Sequence, residues 1–268
     1  MPDPNSPLTP ITPLAGLGVL VTRPQAQAEG LCRLIEAAGG RVILFPVMLI
    51  EPAKDLDTPR RGLAGPLDLL IFTSRNAVDH ALPLLPGGRL PRGPRLAAVG
   101  KATAAALAAA GRAPDLVPED RYDSEALLAL PALREVKGWR VVIVRGEGGR
   151  PLLGETLQAR GAQVVFAEVY RRVLPERDPA DLLERWREEV QLVTATSGEV
   201  LRNLWEILGE AGRERLLNTP LVVVSERTRQ EAEQWGFVRV ELAERADDLA
   251  LVQALGRLAA SAGPAAPA

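Results

Sequence analysis

The chain has 268 residues, 47% apolar and 25% charged, with a net charge of −2 at pH 7, the composition of an ordinary soluble globular protein. That balance offers no basic face for nucleic acid, and no apolar run reaches membrane-spanning length. One cysteine and one histidine exclude an internal disulfide and argue against a His/Cys zinc centre or a Ser-His-Asp triad.

The opening MPDPNSPLTPITPL lacks the basic start and apolar core of a signal peptide, so a cytoplasmic protein is expected, with residues 1–15 and 261–268 disordered. Gly18 to Thr22 reads as a buried strand ended by Pro24, followed by a helix over Gln27 to Ala38, stopped by Gly39-Gly40. Arg41 to Phe45 is the next strand. Pro46 and Pro52 bracket an extended segment, and a charged, Pro- and Gly-containing loop runs to Pro66. Leu67 to Thr73 is a strand, with Ser74 positioned to cap a helix from Asn76. Leu82 to Pro94 is a loop, Arg95 to Val99 a strand, Ala102 to Ala110 a helix and Asp115 to Val117 a short strand. Ser124 to Leu133 is a helix. Val141 to Arg172, VVIVRGEGGRPLLGETLQARGAQVVFAEVYRR, is a strand, a Gly-rich turn, a helix and a strand with an extended tail. Asp181 to Glu189, Gly198 to Leu208, Thr228 to Trp235 and Asp247 to Leu258 are helices, separated by strands at Leu192 to Ala195, Leu221 to Val224 and Val238 to Leu242. Strands alternating with helices predict doubly wound, parallel α/β sheets.

The pattern occurs twice. VLVTRPQAQAEGLCRLIEAAGGRVILFPVMLIEP at Val19 to Pro52 matches the Val141 unit at a displacement of 122 positions, putting Arg23 on Arg145, Gly39 on Gly161 and Met48 on Tyr170. Thr73 and Ser74 then fall on Thr196 and Ser197, and Thr103 on Thr228. A duplicated unit predicts two similar domains. Just past the strands stand Thr22-Arg23, Thr73-Ser74-Arg75, Gly100-Lys101-Ala102-Thr103, Arg145-Gly146, Thr196-Ser197 and Ser225-Glu226-Arg227-Thr228. In a parallel sheet these turns share the carboxyl edge, where ligands bind, and each opens a helix whose free N–H groups favour anions. The alternative is that the hydroxyls only cap helices, at about 1 kcal/mol each. GEGGR at Gly146 to Arg150 lacks the third glycine of a dinucleotide fingerprint. Cys32, alone on an apolar helix face, reads as a small hydrophobe.

VLVTRP at Val19, IFTSRNAV at Ile71, AVGKATAAAL at Ala98, SEALL at Ser124, the whole Val141–Arg172 unit and TATSGEVLRNL at Thr194 together resemble the uroporphyrinogen-III synthase family, over about Gly16 to Leu258. The resemblance implies two flavodoxin-like, doubly wound α/β domains, one of them discontinuous. Residues 1–46 plus 176–268 would form the first and residues 53–167 the second, with segments 47–52 and 168–175 as a two-stranded linker. It implies an active site in the interdomain cleft; a monomer is expected, although the sequence itself does not reveal the oligomeric state. The expected reaction closes hydroxymethylbilane, a linear tetrapyrrole with carboxylate arms, to uroporphyrinogen III with inversion of ring D and loss of water, using no cofactor or metal. By resemblance Tyr170 would donate the proton to the leaving hydroxyl. Thr103 and Thr228 would bind the substrate, with Thr73, Ser74, Arg75, Lys101, Arg145, Gly146, Thr196, Ser197, Ser225 and Arg23 as further binding groups. Ser225 stands where the family more often has Gly, and Glu226 beside it sets a negative charge against an anion site there. The rival expectations are a non-catalytic binding or regulatory protein for an anionic small molecule, which fold alone does not exclude, and a pure interaction scaffold.

Overall fold

The computed structural model describes residues 13–119 and 121–261. They divide into two compact units. One joins the chain up to Leu49 to the chain from Leu174 onward, and the other is the continuous stretch Ile50–Val173. Most of the two tails expected to be disordered, residues 1–12 and 262–268, lies outside the described residues. Leu14, by contrast, is fully buried and its N–H donates to Ala38 O at 2.8 Å, while Ser261 ends the last helix.

The first unit is built on β1 (Gly18–Val21), β2 (Arg41–Leu44), β8 (Leu192–Ala195), β9 (Leu221–Val223) and β10 (Val240–Leu242), in the spatial order β2-β1-β8-β9-β10. The other sheet contains β3 (Leu49–Pro52), β4 (Leu69–Phe72), β5 (Arg95–Ala98), β6 (Arg140–Gly146) and β7 (Gln163–Val173), in the order β3-β7-β6-β4-β5. Strand pairing is parallel between β1 and β2, β1 and β8, β8 and β9, and β9 and β10. It is also parallel between β6 and β7, β4 and β6, and β4 and β5. The sequence repeat is legible in this order. β2-β1-β8-β9 and β7-β6-β4-β5 occupy equivalent places, and the single parallel bridge from Leu116 to Ala97 stands where β10 flanks β9.

β4 and the Val141–Val144 stretch of β6 are apolar and buried throughout because helices cover both of their faces. Leu70, Phe72, Val142 and Val144 pack on one face with residues of α3 (Arg75–Ala81) and α4 (Lys101–Ala109). Leu69, Ile71, Val141 and Ile143 pack on the other with α5 (Ser124–Ala129) and α6 (Leu152–Ala159). The period of two thus sends alternate residues into two cores. In the first unit, Val19 and Val21 join residues of α1 (Glu29–Ala37) and α10 (Asp248–Ser261) in one core. The remaining helices are α2 (Asp57–Leu63), α7 (Ala180–Glu189), α8 (Gly198–Asn218) and α9 (Glu226–Trp235).

The expected strand at Asp115 to Val117 is reduced to the bridge at Leu116, the loop from Leu82 contains two 3-10 turns, and three helices differ from the sequence reading. The supposed loop after Ala53 contains α2, which turns Pro59, Gly62 and Leu63 inward. α8 runs ten residues past Leu208, with a break at Gly209 (φ 57°, ψ −167°) that only glycine adopts freely. The helix from Ser124 stops at Ala129, and a 3-10 turn, Pro131–Leu133, follows.

Gly18 fixes how the chain enters β1. A Cβ there would collide with Glu189 O and press on Ile43, while Gly18 N–H donates to Gln191 Oε1 at 2.7 Å. Gly18→Ala is expected to cost about 1–3 kcal/mol, read as a lower midpoint in urea or thermal unfolding; an unchanged midpoint would show that β1 and the end of α7 are not so tightly apposed.

Candidate active site

Each sheet has a switch point where the strand order reverses: between β1 and β8 in one, and between β6 and β4 in the other. Crevices beyond the carboxyl ends of such strands are where open α/β sheets bind ligands. At the β4/β6 switch point lies a pocket of about 180 Å3 lined by Thr73, Ser74, Ser124, Arg145, Gly146, Arg150, Tyr170 and Arg172, with apolar walls from Ile143 and Leu153. The turns after β4 and β6 supply most of it, and β7 supplies Tyr170 and Arg172.

A bulge places the tyrosine. β6 and β7 run in register to Arg145 opposite Glu168, and then Gly146 stands opposite Tyr170, so β7 carries one extra residue. Bulges re-aim side chains, and here Val169 and Tyr170 are both buried although they are adjacent. The Tyr170 ring lies on Gly146; a Cβ at 146 would stand 2.6 Å from Tyr170 Cζ. The phenol oxygen is 3.1 Å from Ser74 Oγ and accepts from Arg172 Nη2 at 3.3 Å. The His80 ring packs 5.8 Å from the Tyr170 ring. Burial holds the His80 imidazole below the ordinary histidine pKa, with the Asp79 carboxylate opposing that shift.

Ser74 has a second task. It caps α3, accepting from Ala77 N at 3.1 Å, and Thr73 Oγ1 donates to Val144 O at 3.2 Å. Arg145 is largely committed to the protein. Nε and Nη2 bond Glu168 Oε1 at 3.2 and 2.9 Å, and Nη1 bonds Gly149 O at 3.0 Å and Arg150 O at 3.3 Å. The guanidinium carbon lies 3.8 Å from the Phe166 ring centre. Arg145 therefore shapes the 146–150 turn and lends the pocket charge more than free N–H groups. Arg150 is held by Glu125 at 3.3 Å in an exposed pair.

The other candidate residues are not among those that line this pocket. Arg75 is exposed and pairs with Asp79 at 3.5 Å. Lys101 sits over the Tyr122 ring at 5.0 Å. Thr103 is buried in the first turn of α4, whose N-cap is Gly100 and lacks a side-chain cap. On the first unit, Arg23 repeats the staple of Arg145: it pairs with Asp248 at 2.7 Å and bonds Gln27 O at 3.2 Å. Ser197 caps α8 through Val200 N at 3.1 Å, next to half-buried Thr196. Ser225 caps α9 through Thr228 N at 3.3 Å, and its hydroxyl bonds Thr228 Oγ1 at 2.8 Å. Capping thus engages Ser74, Ser197 and Ser225. Burial, reinforced by Glu36, raises the Cys32 pKa and keeps it a thiol, which suits packing and not nucleophilic attack. Among the described residues no group of three or more His, Cys, Asp or Glu is arranged to hold a metal ion.

The model of the family described as uroporphyrinogen-III synthase HemD matches residues 29–253. The chain belongs to the uroporphyrinogen-III synthase family. A uroporphyrinogen-III synthase of Escherichia coli is 40% identical over 245 residues, 89% of this chain and all of that protein. The Salmonella typhimurium synthase is 39% identical over the same coverage. A crystal structure of a mutant uroporphyrinogen III synthase from Thermus thermophilus superposes with a TM-score of 0.59 at 25% identity, covering 92% of this chain and 100% of that one. Sequence reasoning on this family member missed Arg172, Arg150 and Ser124. Arg172 was within reach, because residues two apart on a strand share a face and Tyr170 was already singled out.

Gly146→Ala is expected to displace the Tyr170 ring and cost about 1–3 kcal/mol. With only two tyrosines in the chain, ring proton resonances read the displacement directly, and an unmoved Tyr170 signal would contradict the close approach. For His80, the folded pKa lies below the unfolded value of about 6.5. As pH falls below about 6.5 the unfolded chain takes up that proton first, so stability declines. Denaturant midpoints across this range should fall less steeply in His80→Gln.

Proposed function

We propose that this chain closes hydroxymethylbilane to uroporphyrinogen III, inverting ring D and releasing water, as a cytosolic monomer. The observation that carries the reading is a buried tyrosine that lines a pocket with hydroxyls and guanidinium groups at a sheet switch point, in a chain that matches the synthases along most of its length. The single cysteine suits a reducing compartment.

The substrate asks for little acid and much positioning. Loss of the ring A hydroxyl leaves a cation that the electron-rich pyrrole stabilises, so one proton delivered to the departing oxygen suffices. We assign that delivery to Tyr170, whose phenol lines the pocket. Arg150 and the Ser124 hydroxyl suit an acetate or propionate arm, because guanidinium and hydroxyl groups both donate hydrogen bonds to carboxylates. The selective step is attack by ring D through its substituted carbon, by way of a spiro intermediate. Holding the chain in that geometry is the larger catalytic contribution. Thr103, Thr228, Lys101 and the turn residues of the first unit are proposed as contacts for the remaining arms.

A coupled assay tests the reaction. Hydroxymethylbilane made in situ should yield mainly isomer III with the protein present, against isomer I from spontaneous closure. Isomer I alone from folded protein would leave an anion-binding role. Tyr170→Phe should lower kcat by about 100-fold and stability by about 1 kcal/mol; full activity in that variant would remove the acid role.

A further inference from the structure

Arg172 touches the proposed acid directly. Two residues beyond Tyr170 on β7, it donates from Nη2 to the phenol oxygen at 3.3 Å, and its guanidinium carbon stands 5.6 Å from the ring centre. The other partner of that oxygen is Ser74 Oγ at 3.1 Å. A guanidinium donates and never accepts, whereas a phenol has one proton and acceptor lone pairs. Arg172 therefore fills one lone pair and cannot receive the phenol proton. Ser74 Oγ accepts from Ala77 N and retains its own proton to give. When Ser74 gives that proton to the phenol, both neighbours are donors, and the Tyr170 proton is directed at the pocket they line.

We propose that Arg172 is a positioning residue for proton delivery, orienting the Tyr170 phenol toward the substrate and holding the phenolate while the hydroxyl leaves. The inference rests on Tyr170 being the acid. In the step, the Tyr170 O–H bond breaks and its proton joins the hydroxymethyl oxygen. The C–O bond breaks with its electron pair on oxygen, water departs, and the cation remains on the pyrrole. The phenolate then accepts from both Arg172 and Ser74. Ring closure expels one proton from a pyrrole carbon, which balances the phenolate and restores the phenol. Arg172 is exposed, so its replacement leaves the core intact.

The test is a double-variant cycle on the whole protein, with kcat and KM measured on hydroxymethylbilane made in situ and folding checked by circular dichroism. Arg172→Met is expected to lower kcat about tenfold with KM changed less than about twofold. Arg172→Lys, which keeps a donor-only cation, should recover most of the loss. In Tyr170→Phe the Arg172→Met change should add nothing further, because the two act as one unit. A rise in KM at unchanged kcat would make Arg172 a carboxylate contact and overturn the proposal, as would losses that multiply in the double variant. Full activity in Tyr170→Phe alone would sink the acid role and this inference together. A low Tyr170→Phe activity with an unimpaired Arg172→Met would sink only the inference.

Discussion

The candidate site depends on one close approach, the flat seating of the Tyr170 ring on Gly146 at the end of β6. It requires a residue without a Cβ at 146, and it requires the bulge that brings Gly146 opposite Tyr170. With both in place, the phenol oxygen lands within hydrogen-bond reach of the α3 cap and of Arg172. Arg145, immediately before the bulge, holds its far side by gripping Glu168 and the carbonyls of the next turn. The polar wall of the pocket is thus assembled by backbone geometry first and side-chain chemistry second. That order suits a reaction in which orientation outweighs acid strength.

The two repeats use the same scaffold differently. Arg23 and Arg145 are repeat-related, and each clamps the turn after its strand with an acidic partner and a carbonyl. Where the second copy places Tyr170, the first places Met48, buried and apolar. The helices diverge as well. α9 is capped by Ser225, whereas α4 begins at Gly100 with no side-chain cap. Duplication thus preserved the devices that hold turns in place, whereas the phenol at Tyr170 has no counterpart at Met48 in the first copy.

Much of this was legible in the amino-acid order. The repeat, the alternation of strands and helices, the switch-point hydroxyls and Tyr170 all follow from spacing or from the family motifs. The rest was hidden for physical reasons. The bulge leaves no mark in AEVYRR, because alternation cannot tell two adjacent buried residues from a strand core. α2 was masked by Pro59 and Gly62, poor helix formers that packing nonetheless holds in a helix; Gly62 lies against Val165. The second half of α8 was hidden behind Gly209, which reads as a stop and is a kink. Arg23 and Arg145 were visible as a pair, but their commitment to Asp248 and Glu168 depends on contacts over 225 and 23 residues, which local pattern does not reveal.

The discontinuity of the first unit has a consequence during synthesis. β1 finds β2 at once, but its other neighbour, β8, lies about 170 residues later, the separation spanned by the bond from Thr22 Oγ1 to Thr194 O. At ribosomal speeds that interval lasts roughly ten to thirty seconds. Throughout it, Gly18–Val21 offers an apolar strand with one unpaired edge, the kind of template that recruits foreign strands. The continuous unit, Ile50–Val173, has all its strands as soon as it emerges. The chain is therefore expected to mature from the middle outward, and its early vulnerability to misassembly sits in its first fifty residues.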